Sequence, residues 1–213
     1  MSRANAKKPG SAGPDTRPSF WPTKPRAVLV MFTVIVMVGA LGGSAFAAKS
    51  VAPGPWLTKV CNTFKQASTT AGEAGDEGQV AYSSAASTDG AAMRTIFQTR
   101  FQKQLDAVNS AISTLKAEGV PKIANGKKLA STASALLSDS SQHLTDALQA
   151  VAAIPDSGTA VQTAVAQLYT TAYSGSGLPN PLTLITELRK DTKFADALAS
   201  GRGPVYNAGA SCS

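Results

Sequence analysis

Few side chains in this 213-residue chain could do chemistry, and their scarcity is the first constraint. There is one histidine, His143, which excludes a two-histidine metal site within a single chain. Asp139, His143 and Asp146 are spaced i, i+4 and i+7, along one flank of a helix. An imidazole between two carboxylates could form a weak metal site or a proton-sensitive one. The same spacing also describes a solvated helix edge, whose charge pair contributes roughly a few tenths of a kcal/mol. A serine nucleophile would need His143 as its base, with Asp139 or Asp146 orienting the ring. Glutamate occurs only at 73, 77, 118 and 187, and none forms the Glu-x-x-His pair of helical di-iron sites. No haem-attachment, phosphate-loop, dinucleotide or nucleophile-elbow motif occurs. The inventory therefore predicts no catalytic residues and no cofactor, with Asp139, His143 and Asp146 as the sole metal candidates.

Two further groupings invite a chemical reading. Phe97, Arg100, Phe101 and Lys103 interleave aromatic and basic residues, as binders of single-stranded nucleic acid do. On a helical wheel Phe97 and Phe101 fall on an apolar stripe, while Lys103 points nearly opposite. A stacking platform needs its rings exposed beside the cations, so the pattern reads as core and no nucleic acid partner is expected. Cys61 and Cys212 are the only cysteines. A bond between them would close a loop of about 150 residues, which the chain-entropy account rates at up to about 5 kcal/mol.

Whether that bond forms depends on the compartment, which the charge distribution addresses. Residues 1–26 carry six basic side chains against Asp15, a net of +5. No residue from Ala27 to Ala48 is charged, and from Lys49 onward the net is only +2. A basic, Pro- and Gly-rich leader, an apolar stretch over Ala27–Leu41 and the small-x-small exit Ala45-Phe46-Ala47 describe an export signal cut between Ala47 and Ala48. The same segment can be a retained anchor, since its 22 residues would make about 33 Å of helix against a hydrocarbon core of about 30 Å. Both readings keep the N-terminus inside and place 49–213 outside the cytoplasm, secreted or membrane-anchored. There disulfides persist, so Cys61–Cys212 is the expected pair.

The elements that must position these groups are helical. Trp56, Leu57, Val60, Cys61 and Phe64 mark one face of a short helix. Residues 66–90 are mostly Ala, Ser, Thr and Gly, and read as a long loop or weak helix. Met93, Phe97, Phe101, Leu105, Val108, Ile112 and Leu115 recur at a helical period, with Asp89 to cap the start and Gly119-Val120-Pro121 to stop it. A second long stripe runs from Leu129 to Ile154 within about 125–154, with Ser140 and Ala147 allowing close approach. Val161, Val165, Leu168 and Ala172 predict a helix over about 159–173. Asn180-Pro181 opens another, with Leu182, Ile185 and Leu188 on one face and a break near Asp191-Thr192. A Gly-rich tail returns Cys212 to the bundle, and no segment alternates with a strand's period.

The expected architecture is all-α: an antiparallel bundle of four to five helices over 49–213, preceded by one N-terminal hydrophobic helix. This layout resembles the small exported helical envelope proteins of actinobacteria, a likeness of style that carries no functional residues across. Together the features point to an exported, non-enzymatic cell-envelope protein, an interaction or accessory module for another envelope or membrane protein. The alternative is an extracytoplasmic carrier for an apolar small molecule or lipid held between the helices, with 66–90 as its lid.

Overall fold

The computed structural model describes residues 49–173 and 177–212. The leader 1–26, the apolar segment 27–48 with its expected hydrophobic helix, and the Ala47–Ala48 junction lie outside the described residues. No helix among the described residues is long and apolar enough to cross a membrane.

The described chain is all-α apart from one two-residue strand pair. Its first helix, α1 (Pro53–Ser84), corrects the sequence reading. A short helix followed by a loop or weak helix over 66–90 was expected; instead one helix of 32 residues runs through most of that stretch. The physical reason lies in the buried positions Val60, Phe64, Ala67, Ala71, Ala74 and Gly78, spaced 4, 3, 4, 3 and 4. The helical period continues past Phe64, carried by residues too small to register as hydrophobic bulk.

The second helix, α2 (Gly90–Glu118), starts where expected, with Asp89 accepting a bond from the Ala92 amide at 3.0 Å. It ends at Gly119, whose φ of +78° suits glycine and whose missing β-carbon leaves room for the Lys49 carbonyl. Its buried stripe drifts by one residue along the helix. Gln104 and Ala111 are buried, while Leu105 and Ile112 are only half-buried. α2 packs on both α1 and the third helix, so its covered surface is wider than a single stripe.

The third helix, α3 (Gly126–Val151), and the fourth, α4 (Ala160–Ala172), bury the residues their periods predict, including Leu129, Leu137, Leu144, Val161, Val165 and Leu168. Cross-helix bonds show the antiparallel course. Lys59 meets Glu118 at 2.8 Å near one end of the α1–α2 pair, and Lys103 meets Glu77 toward the other. Ser141 donates to Asn109 at 3.0 Å and Arg94 donates to the Ile154 carbonyl at 2.6 Å, so α3 runs back along α2. Ser140 and Ala147 are buried as small residues at close approach, and the Ser140 hydroxyl donates to the Gly177 carbonyl at 2.7 Å.

The C-terminal stretch adds more helices than the four to five expected: α5 (Pro181–Leu188), α6 (Thr192–Ala199), α7 (Pro204–Gly209) and a 3-10 turn at Ala210–Cys212. Asn180 caps α5 by accepting from the Leu182 amide at 2.7 Å, and Asp191 caps α6 by accepting from the Phe194 amide at 3.1 Å, where the break was expected. One face was misassigned. Leu182 is 63% exposed and Leu184 is buried with Ile185 and Leu188, because α5 presents its 184/185/188 edge to α1 and α3. Ser50–Val51 (β1) pairs in parallel with Val120–Pro121 (β2), too short a match for any period of two to reveal.

Candidate functional site

A polar constellation within the bundle centres on Arg100, a residue that the sequence grouped with the aromatic core. From α2 its guanidinium turns toward α4, donating to the Tyr169 hydroxyl at 3.0 Å and the Tyr173 hydroxyl at 2.9 Å. Its central carbon lies 5.3 and 5.8 Å from the two ring centroids. Tyr173 donates onward to the Gln104 side-chain oxygen at 3.3 Å, and the fully buried Gln104 donates to the Ala71 carbonyl at 2.9 Å. The positive charge thus rests on phenol oxygens and ring faces, with no carboxylate among these contacts. Its Nε is buried without a hydrogen-bond partner.

The small residues of α1 make this possible. A β-carbon on Gly78 would sit 2.7 Å from Arg100 Cδ, and one on Gly75 would lie 3.5 Å from both the Arg100 and Gln104 nitrogens. Ala71, Ala74 and Gly78 therefore form a shallow seat across which Arg100 reaches. Phe97 and Phe101 are fully buried beside it, edge-on to Tyr169 at 5.6 Å and Tyr173 at 6.4 Å. Those rings pack the core and are not free to stack on bases. The signal available in the sequence was Tyr169 and Tyr173 at i and i+4 together with a helical stripe of Ala and Gly, but neither names the other without the fold.

Beside this cluster, and sharing Arg100, Ala74 and Gly78 with it, a groove of about 290 Å³ runs between α1 and α2, lined also by Ala81, Ile96 and the Glu77–Lys103 pair. Its wall is mostly apolar with cations at one side, a shape suited to an apolar side chain or a short stretch of acyl chain.

The three metal candidates lie along α3. His143 Nε2 lies 3.5 Å from Asp139 Oδ1, whereas Asp146 accepts from the Gln142 amide at 2.8 Å. No group of three metal-ligating side chains converges among the described residues. The flank can pair a protonated imidazole with one carboxylate, one turn apart.

Asp191 is a buried carboxylate that sequence reasoning assigned only to a helix break. It accepts from the Phe194 amide and, at 2.8 Å, from the Asn125 side chain, tying the α5–α6 junction to the turn before α3. The Phe194 amide first, then the Asn125 amide and the Lys128 charge, hold its pKa below the ordinary carboxylate value against the opposing effect of burial. Asn125 itself adopts φ +62°, a left-handed conformation that asparagine tolerates.

Cys61 on α1 and Cys212 at the C-terminal turn, 151 positions apart, are buried at disulfide distance, their Cα atoms 5.1 Å apart. Gly54 against Pro204 draws α7 onto the same end of α1. Comparison of the chain with known protein families, with curated proteins and with solved structures finds no match.

Proposed function

We propose that this protein is an exported, non-enzymatic helical module of the cell envelope, held at or released from a membrane by residues 27–48, that serves another envelope component. One observation carries the reading: a basic leader and a 22-residue uncharged stretch precede, in the sequence, the helical bundle of residues 49–212. Support also comes from how the titratable groups are used. Asp89, Asp139, Asp146, Glu187 and Asp191 bond to helix neighbours or caps, and Arg100 to tyrosines, which leaves them occupied in structural roles. The Cys61–Cys212 pair then acts as a staple joining the tail to α1 in an oxidising compartment.

The test is crosslinking of the full chain in its native membranes, followed by purification and native mass spectrometry. A defined membrane or envelope protein crosslinked in stoichiometric yield is the expected result. The groove between α1 and α2 favours a second reading, a carrier of an apolar molecule. Lipid co-purifying with the chain in the absence of a protein partner would establish that reading and sink the first.

A further inference from the structure

The net charge of +2 beyond residue 48 conceals a strong separation along the bundle. The half containing the start of α1, the α2–α3 turn and α5 to α7 (residues 49–68, 107–138 and 177–212) carries eleven basic and four acidic side chains, a net of +7. The other half (69–106 and 139–173) carries three basic and eight acidic side chains, a net of −5. Asp106 and Asp139 stand nearest the middle, and moving both across leaves the sign of each end unchanged. The basic groups are available to solvent: Lys49, Lys116, Lys122, Lys127, Lys128 and Lys193 are all exposed. They converge because Asn125 bonds to Asp191, which brings the α5–α6 junction and its lysines beside the α2–α3 turn.

The chain also enters the bundle at this end. The Lys49 carbonyl accepts from the Val120 amide at 3.0 Å, and the Lys122 amide donates to the Val51 carbonyl at 2.7 Å. Entry point and basic turn are thus stitched together, and in the sequence the uncharged segment ends at Ala48, next to Lys49. α1, about 48 Å long at 1.5 Å per residue, carries the acidic half several Debye lengths from the basic end.

From the gathering of lysines at this end and its adjacency in sequence to the uncharged segment, we infer that the basic end of the bundle is a docking face for anionic lipid headgroups. The inference rests on the membrane-anchored reading above and adds what the domain does there. Clustered Lys side chains beside a spanning segment are attracted to an anionic leaflet, and the attraction decays within a Debye length. The acidic half, beyond that range, stays free for other contacts.

The experiment is lysine acetylation footprinting of the full chain incorporated into zwitterionic or anionic lipid nanodiscs. Lys122, Lys127 and Lys128 should react about fivefold more slowly in anionic discs at low salt, the contrast shrinking at high salt. Lys103, in the acidic half, should react alike in both. A chain that enters the discs but labels equally in the two lipids overturns the docking face while leaving the anchor intact. A chain that enters neither disc overturns the anchor and the inference with it. Heparin protecting these lysines in zwitterionic discs, where anionic discs do not, would reassign the face to an anionic polymer and overturn the lipid assignment.

Discussion

The two halves of α1 solve the same packing problem in opposite ways. Over its first three turns the helix supplies bulk: Trp56, Leu57, Val60, Cys61 and Phe64 are buried and fill the space against α2, α5 and α7. Over its later turns it supplies space: Ala67, Ala71, Ala74 and Gly78 stand at the same periodic positions, and the bulk comes from Arg100 and Gln104 on α2, to which Tyr169 and Tyr173 of α4 are bonded. A helix can therefore be held by what it contributes or by what it makes room for. The second kind leaves little trace in the hydropathy of the helix itself.

The largest effect expected from breaking this comparison is in the bulky half. Phe64→Ala removes a fully buried ring and should destabilise the fold by about 3–5 kcal/mol, measured by chemical denaturation. An Ala67→Gly change in the same helix should cost only about 1 kcal/mol, mostly through backbone entropy.

Next comes the cysteine pair that secures the bulky half. The oxidised protein should be two hydrogens lighter than its reduced form by mass spectrometry, and Cys212→Ser should lower stability by about 2–5 kcal/mol under oxidising conditions. Two alkylatable thiols in the native exported protein would remove the staple from the account.

The small-residue half should fail in the opposite sense, by overfilling. Ala71→Leu pushes a side chain toward Gln104 and should cost about 1–3 kcal/mol, whereas Val80→Leu at an exposed position should change stability by less than about 0.5 kcal/mol. Removing the partner bulk with Tyr173→Ala should speed amide exchange over 67–84 more than over 56–64. Equal acceleration of both stretches would mean that the two halves do not differ as described.

The smallest effect is electrostatic and lies at the end where α5 and α6 meet the α2–α3 turn. Because the Asp191 pKa is held down in the folded state, its contribution is present above the ordinary carboxylate range and is lost as pH falls through the lowered value. The stability difference between the wild type and Asp191→Asn should be constant near neutrality and shrink in acid. Asparagine retains the capping oxygen but loses the acceptor that meets Asn125, so the charge is reported by the pH-dependent part of the difference rather than by its size at neutrality.

The legibility of the fold follows the same division. α2, α3 and α4 were readable because Phe, Leu, Val and Met recur at the helical period and Asp89, Gly119 and Asn180-Pro181 punctuate the chain locally. The later turns of α1 were not, since alanine and glycine carry the period without changing the hydropathy much. The Arg100 cluster was only half legible. Phe97 and Phe101 declared themselves core, but nothing local says that Arg100 finds two tyrosines some seventy residues away. For His143 the spacing offered both carboxylates equally; the structure adds the Gln142 amide as a donor to Asp146 beside the His143–Asp139 pair.

By itself the sequence determined the helical class, the caps and breaks, the single histidine and the uncharged stretch before Lys49, because each depends on neighbours within a few residues or on composition. The tertiary structure decided the continuity of α1, the seating of Arg100, the meeting of Cys61 with Cys212 and the gathering of positive charge at one end. These depend on which helices lie side by side, and the free energy that selects that arrangement comes from burial between segments far apart in the chain.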